Sequence, residues 1–353
     1  MKFREPFTLI GNTPSPYTRK LVALLRYRRI SYKVIWGDLD KNLGLLGVEP
    51  PKVKLLPTCI VDREDGNLTP ICDTTPIIRQ LEKQYKTRKV IPNNSVVAFL
   101  DYLVEDYADE WWTKFMFHYR WYPQEDAKNA SQLLPILQEG VDIPSEKLSI
   151  YSDYIYSRQV SRLHVVGSSE STADLIEQSY LKALIVLEKH FEKYKFIFGS
   201  RPSASDFAIY GQLSQLIGFD PTPRAIAHKV APRVVAWTSI MEDQCGFEPK
   251  DDDWNVDLSS SSLRELLKEI GSTYVPALLK NASAFEKDEK KWSASINGAT
   301  WSQNTFAYQA NVSNGFVMNM MDYREKIEIR FYKCWMGQGV RNYFSSADHK
   351  VEC

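Results

Sequence analysis

The sequence of 353 residues is 44% hydrophobic and 25% charged, which is ordinary for a globular protein and long enough for two or three domains. Lys plus Arg equals Asp plus Glu at 44 each, so the charge balance gives no electrostatic footprint for nucleic acid or an anionic membrane surface. Five scattered cysteines without a C-x-x-C pair argue against a disulfide framework and a metal site, and they favour a reducing, cytoplasmic location. No apolar run approaches the roughly 20 residues of a membrane span, and strand-like sequence begins too near Met1 to leave room for a signal peptide.

The first part of the chain, to about residue 90, alternates strand-like and helix-like patterns. We predict strands at 7–10, 31–35, 56–62 and 68–71, and helices at 15–29 and 73–85. The short interval between the first two strands fits a βαβ crossover, and the REDGN turn joins the last two strands as a hairpin. The order β-α-β-(α)-β-β-α therefore predicts a mixed sheet, half parallel and half antiparallel.

Strand patterns are missing between about residues 95 and 245. Long apolar helical patterns occupy 96–121, which is rich in aromatic residues, and 171–194. Ser203 and Asp206 fit a capping box at the start of a third helix, and their expected role is structural. A further helix is predicted at 233–242.

A charged, serine-rich joint at 250–262 leads to a tail. We predict a helix at 263–285, a hairpin around 296–299 and a last helix near 311–335. The aromatic and methionine content of the tail suggests packing onto the helical region. The sequence assigns the tail no chemistry.

Residues 11–20, GNTPSPYTRK, join the first strand to the first helix and place Ser15 between two prolines. Serine is a preferred helix N-cap, and proline is well tolerated at the next position. A helix N-terminus carries unpaired N–H groups and a partial positive charge, so it is suited to an anion such as a thiolate. A serine hydroxyl there can hydrogen-bond sulfur. The alternative is that Ser15 only caps the helix.

Two further features belong to the same end of the predicted sheet. Pro57 heads a strand, where it cannot donate to a sheet ladder, and a cis bond before it is one explanation. Asp73 and Thr74 open another helix, with a carboxylate, a hydroxyl and free N–H groups.

Three stretches, SPYTRKLVALLRYRRISY, LLPTCIVDREDGNLTPICDTTPIIRQLEKQY and FIFGSRPSASDFAIYGQL, resemble successive signatures of a cytosolic-type glutathione S-transferase with a serine or cysteine active site. The resemblance covers roughly residues 5–245. It implies an α/β plus all-α fold with a thioredoxin-like domain at 1–90 and an all-helical domain at 95–250. An extension at 255–353 follows, packed on the helical domain.

The resemblance also implies a binding site for glutathione as co-substrate. Leu56, before Pro57, matches the residue whose backbone pairs with the cysteinyl part of glutathione. Asp73 and Thr74 match the pair that holds the γ-glutamyl end, although the family has Glu or Gln where this chain has Asp. Lys54 is a candidate for the glycyl carboxylate.

Ser15 matches the catalytic position of the family, where serine favours conjugation and cysteine favours thiol transfer. Tyr17 is a substitute hydroxyl donor. Asp106 and Asp109 are candidates for contact with the glutathione amine.

The family binds a small electrophile between the two domains, against the first helix of the helical domain. The candidates for this pocket share an aromatic helix, and they are Trp111, Trp112, Phe115 and His118. Core packing is the alternative role of these side chains. Family members are usually dimers, so a homodimer is expected unless the extension blocks that interface.

Two other functions are compatible with the sequence. One is a binding or scaffold protein with little catalysis, which the tail and the Asp-for-Glu change favour. A glutathione-dependent isomerase or dehalogenase would share the same glutathione site and differ only in the second pocket.

Overall fold

The amino-terminal domain is a four-stranded sheet with three helices. A computed structural model of the chain describes residues 3–62 and 66–309. The elements in this domain are β1 (Phe7–Gly11), α1 (Pro16–Tyr27), β2 (Tyr32–Trp36), α2 (Leu39–Leu45), β3 (Thr58–Asp62), β4 (Leu68–Ile71) and α3 (Thr74–Gln84). The strand order is β2-β1-β3-β4.

The sheet is mixed, as the sequence predicts. β1 pairs with β2 in parallel and with β3 in antiparallel, and β3 and β4 form the predicted antiparallel hairpin. Successive residues of β1 face opposite sides of the sheet. Leu9 belongs to the main core with α1 and α3, whereas Ile10 packs with Leu43 and Val48 around α2. This arrangement is the predicted thioredoxin-like domain.

The middle of the chain is helical. Its elements are α4 (Ser95–Glu110), α5 (Trp112–Trp121), α6 (Gln124–Glu139), α7 (Ser145–Val160), a 3-10 helix (Leu163–Val166), α8 (Ala173–His190), α9 (Ala204–Leu216), α10 (Pro221–Val230) and α11 (Pro232–Met241). The prediction of one helix over 96–121 is wrong, because the chain breaks at Trp111. Trp111 keeps helical dihedrals (φ −94°, ψ −43°), but the Lys114 amide donates to its carbonyl at 3.0 Å, a tighter 3-10 type bond that marks the change from α4 to α5.

The predicted capping box starts α9. The Ser203 amide donates to Asp206 Oδ2 at 2.9 Å, and the Ile197 amide donates to Asp206 Oδ1 at 2.9 Å. The Asp206 carboxylate is fully buried, so it stabilises both the helix start and the loop before it.

The extension adds two helices and a hairpin, α12 (Ser261–Ser272), α13 (Tyr274–Glu286), β5 (Lys291–Ile296) and β6 (Ala299–Asn304). The single helix predicted at 263–285 is therefore divided, at Thr273, whose hydroxyl donates to the Glu269 carbonyl at 2.7 Å. The predicted hairpin turns through Asn297 and Gly298, which both have positive φ, as a two-residue turn requires. The helix predicted near 311–335 lies outside the described residues.

The extension packs on the helical domain. α12 contacts α8 and α4, and β6 contacts the 3-10 helix. Trp301 of β6 is fully buried with its ring centroid 5.1 Å from that of Trp111. Gly167 has a φ of 78°, and a Cβ there would lie 2.3 Å from the Trp301 ring. The close approach therefore requires glycine.

Candidate active site

Ser15 lies at the start of α1 and bridges it to the strand-turn region before β3. Its Oγ accepts a hydrogen bond from the Thr18 amide at 3.2 Å, so the predicted N-cap is confirmed. The same hydroxyl donates to the Leu56 carbonyl oxygen at 3.3 Å. Ser15 therefore caps the helix and faces the Leu56–Pro57 peptide, which is cis.

Side chains of the helical domain hold the loop before Ser15. Arg120 donates to the Pro14 carbonyl at 3.1 Å while its guanidinium is paired with Asp220 at 2.9 Å. Gln215 donates to the Thr13 carbonyl at 3.1 Å. These backbone contacts fix the loop, and with it the start of α1, relative to the helical domain.

Asp73 and Thr74 begin α3. Asp73 has a φ of 77° and a ψ of 109°, a conformation that is uncommon outside glycine and that often marks ligand sites. Its carboxylate accepts from the Thr75 amide at 3.2 Å. Thr74 is 97% buried, since its exposed fraction is 3%. Burial raises the pKa of Asp73.

A cavity of about 230 Å³ brings these segments together. It is lined by Tyr17, Leu55, Leu56, Pro57, Asp73, Thr74, Asp109, Glu110 and Tyr308. The walls therefore come from α1, the cis-proline segment, the start of α3, the end of α4 and the extension. Ser15 is not one of these lining residues, but its hydroxyl donates to the carbonyl of Leu56, which is.

Tyr17 lines this cavity, and its hydroxyl donates to the Asp109 carbonyl at 2.8 Å. Burial, together with the nearby charges of Glu110 and Asp109, raises the pKa of Tyr17 well above its ordinary value. Tyr17 therefore remains a hydrogen-bond donor at neutral pH.

An ionic network lies behind the cavity, where α4 meets α1 and α3. Lys20 is paired with Glu105 at 2.9 Å and with Asp109 at 2.6 Å, and Arg79 is paired with Glu105 at 2.5 Å. Burial alone would raise the pKa of Glu105, but Arg79 and Lys20 hold it below its ordinary value. Because Lys20 is engaged there, the charged residues that line the cavity are the acidic Asp73, Asp109 and Glu110.

Residues 9–89, which span β1 to α3, match the family model described as the glutathione S-transferase N-terminal domain. The amino-terminal domain is therefore of the glutathione S-transferase N-terminal type. No curated protein matches the sequence.

Solved glutathione S-transferases resemble the chain at low identity. One from Rhodospirillum rubrum F11 is 16% identical over 74% of this chain and 91% of its own, with a TM-score of 0.39. A GST-like protein from Pseudomonas syringae is 14% identical over 67% of this chain and 66% of its own, with a TM-score of 0.42. A glutathione transferase from Burkholderia graminis, solved with two glutathione molecules per subunit, is 17% identical over 66% of this chain and 82% of its own, with a TM-score of 0.37. Because these TM-scores lie below 0.5, the assignment of residues 9–89 depends on the domain match alone.

Lys54 is not among the residues that line the cavity. Its ammonium pairs with Asp40 at 2.7 Å, and its side chain is 52% exposed. The prediction that it meets a ligand carboxylate is therefore not supported, because the loop turns it toward α2 and solvent.

The aromatic candidates for the second pocket lie in the core instead. Trp111, Trp112, Phe115 and His118 are each 0% exposed. His118 Nδ1 is 2.8 Å from Ser168 Oγ, and burial lowers its pKa despite the nearby Glu177. These four residues stabilise the junction of α4, α5 and α8, and this corrects their prediction as pocket walls.

Asp106 also faces inward, where it accepts a hydrogen bond from Tyr274. Of the two predicted amine contacts, Asp109 lies on the cavity. Sequence reasoning missed two lining residues, Glu110 and Tyr308. Glu110 directly follows Asp109 in the chain, so its position could have been inferred. Tyr308 gives no such signal, since its place depends on the path of the extension.

In the described parts of the chain, no helix has the length and apolar character needed to cross a membrane. Among the same residues, no cluster of three or more His, Cys, Asp or Glu side chains is placed to hold a metal ion.

Proposed function

We propose that the protein is a glutathione transferase that binds glutathione in this cavity and activates its thiol for attack on a small electrophile. The observation that carries the proposal is the convergence of three segments. The Ser15 hydroxyl lies 3.3 Å from the Leu56 carbonyl, and Leu56, Pro57, Asp73 and Thr74 line one cavity.

The proposed docking uses backbone and side-chain groups of the amino-terminal domain. Leu56 would pair its backbone with the cysteinyl part of glutathione. The Thr74 hydroxyl and the first N–H groups of α3 suit the carboxylate of the γ-glutamyl end, because helix N-termini attract anions. Asp73 suits the ammonium of the same end, through a charge-assisted hydrogen bond.

The proposed role of Ser15 is to stabilise the thiolate. A hydroxyl hydrogen rotates freely about the Cβ–Oγ bond, so Ser15 can turn its O–H from the Leu56 carbonyl to a docked sulfur. A free thiol has a pKa of about 8.5, and a hydrogen bond to a charged group contributes roughly 1.5–3 kcal/mol. With one pKa unit equal to about 1.4 kcal/mol, Ser15 lowers the thiol pKa by about one to two units.

The reaction then follows from the thiolate. The sulfur proton leaves to solvent, the sulfur lone pair forms a bond to the electrophilic carbon, and the leaving group departs with its bonding pair. A glutathione-dependent isomerase or dehalogenase would use the same glutathione site. The proposal therefore names the second substrate only as a small electrophile.

A scaffold function is the second candidate. Two observations favour it: the Ser15 hydrogen is engaged by Leu56, and Lys54 is paired with Asp40. In this case the cavity would bind glutathione poorly or not at all.

We also propose a cytoplasmic location, which the free cysteines Cys59, Cys72 and Cys245 support. A homodimer remains a prediction from the family.

The test compares wild type with Ser15→Ala and Tyr17→Phe, using calorimetric titration with glutathione and a conjugation assay with a generic aryl halide. We expect Ser15→Ala to bind glutathione with similar affinity and to conjugate about 10- to 100-fold more slowly, the equivalent of roughly 1.5–3 kcal/mol. Ser239→Ala, an exposed serine on α11, is the matched control and should change neither quantity.

Three results would contradict this mechanism. Equal rates for Ser15→Ala and wild type would leave Ser15 as a helix cap only. A loss of conjugation rate in Tyr17→Phe alone would mean that Tyr17, and not Ser15, stabilises the thiolate. No glutathione binding by wild type would support the scaffold function.

A further inference from the structure

The extension delivers its last described residues to the acidic end of the cavity. Asn281 on α13 holds the backbone of Phe306 from both sides. The Phe306 amide donates to Asn281 Oδ1 at 2.8 Å, and Asn281 Nδ2 donates to the Phe306 carbonyl at 2.8 Å. The Thr305 amide donates to the Lys290 carbonyl at 2.9 Å. This anchor fixes where the next residues lie.

The next side chains lie against two carboxyl groups of the cavity. Tyr308 lines the cavity together with Asp73 and Glu110, and its nearby hydroxyl opposes the rise that burial causes in the pKa of Asp73. Gln309 Nε2 donates to Glu110 Oε2 at 2.9 Å. Both contacts link the extension to groups on other domains, Asp73 at the start of α3 and Glu110 at the end of α4.

Tyr308 and Gln309 thus cover the carboxyl groups of Asp73 and Glu110, which would suit a ligand ammonium group. An ammonium offers three N–H donors and a positive charge, and it binds carboxylates more strongly than a neutral hydroxyl or amide does. A ligand ammonium and the extension therefore use the same oxygens. The cavity volume of about 230 Å³ is below the roughly 300–1,000 Å³ of typical ligand pockets, as expected if part of the site is already filled.

We propose that Tyr308 and Gln309 determine ligand specificity at this end of the site, because they occupy the Asp73 and Glu110 carboxylates and yield only to a ligand with a free ammonium group. The inference rests on the proposed function for the choice of glutathione as ligand. A ligand whose amine is acylated has no charge with which to displace the two donors, so it is rejected.

The test measures the affinities of glutathione and N-acetylglutathione for wild type and for Tyr308→Phe. The Phe variant keeps the ring and removes the hydroxyl, and the side chain is 48% exposed, so folding should be retained. We expect glutathione to bind about tenfold more tightly to the variant. N-acetylglutathione should bind both proteins equally and weakly. Tyr154→Phe, an exposed tyrosine on α7, is the matched control and should behave as wild type.

A ligand-free measurement tests the contact itself. Thermal unfolding of Tyr308→Phe, Asp73→Asn and the double variant gives the coupling between the two side chains. We expect the double variant to be less destabilised than the sum of the single variants. Additive effects would mean that Tyr308 and Asp73 do not interact, and would overturn the inference without any appeal to glutathione.

The remaining outcomes separate the inference from the proposed function. Unchanged or weaker glutathione binding by Tyr308→Phe overturns the inference and leaves glutathione as the ligand. An equal gain for N-acetylglutathione overturns selection by the ammonium group. Coupling between Tyr308 and Asp73 with no glutathione binding by any variant overturns the proposed function, and the competition with it.

Discussion

Lys114 is a cation held inside the aromatic core. It is 4% exposed, and its Nζ donates to Gln303 Oε1 at 3.0 Å. The same ammonium lies 5.8 Å from the Trp111 ring centroid and 5.4 Å from that of Trp301, which is within cation–π range. Burial lowers the pKa of Lys114 to about 8, although Glu110 opposes the shift. The charge is therefore retained at neutral pH at a cost in stability.

This cost predicts a pH dependence that Lys114→Met should remove. The folded pKa of about 8 is below the ordinary value of 10.5, so between these values unfolding takes up a proton and stability rises with pH. The variant should be more stable than wild type at pH 7, because Gln303 Oε1 keeps the Trp301 indole as a donor at 3.1 Å.

Urea unfolding of both proteins from pH 7 to 10 measures the difference. Above pH 8, the difference in unfolding free energy between Lys114→Met and wild type should narrow by at most about 1.4 kcal/mol per pH unit. A difference that stays constant, or that widens with pH, would contradict the assignment of a lowered pKa to Lys114.

Single residues also show where sequence reasoning succeeds. The N-cap role of Ser15 is predictable, because it depends on residue types adjacent in the chain. Leu56, whose carbonyl accepts a hydrogen bond from Ser15, is 41 positions away in the sequence. Only the family resemblance predicted that the two residues lie together. Lys54 was misplaced because a loop lysine carries no pattern that specifies its partner.

Elements with a strong hydrophobic period were predictable, and the others were not. α1, α3 and α8 follow apolar patterns that fix their buried faces. α9 is buried almost all round, and its capping box predicted where it starts. α7 has no buried residue, so its sequence offers no such pattern. The break at Thr273 lies between Gly271 and Pro276, which are boundary signals that the single-helix prediction overlooked. The break at Trp111 has no glycine or proline beside it, so periodicity alone could not detect it.

The β5–β6 hairpin should contribute strongly to stability through one side chain. Trp301 is fully buried against Trp111, above Gly167. Trp301→Ala leaves a large cavity, and we expect the free energy of unfolding to fall by about 3–5 kcal/mol.

Trp36→Ala is the control, since Trp36 on β2 is 47% exposed. Chemical denaturation should show at most a small loss for it. A Trp301→Ala loss no greater than that of the control would mean that the hairpin does not contribute to the core.

At the scale of the molecule, the site combines three distant parts of the chain. The amino-terminal domain supplies Ser15, the cis-proline segment and the start of α3. The helical domain supplies Asp109 and Glu110, and the extension supplies Tyr308. The family resemblance predicts the residues of the amino-terminal domain and, in the helical domain, Asp109 but not Glu110. The position of Tyr308 depends on how the extension crosses the helical domain, which local sequence does not specify.

The assembled site is proposed to stabilise the thiolate of glutathione. The most direct measurement is the ultraviolet absorbance of the thiolate of glutathione bound to wild type, titrated with pH. A hydroxyl from Ser15 together with the N-terminus of α1 predicts a bound thiol pKa about one to two units below the free value of about 8.5. A bound thiol that titrates at the free value would contradict the account.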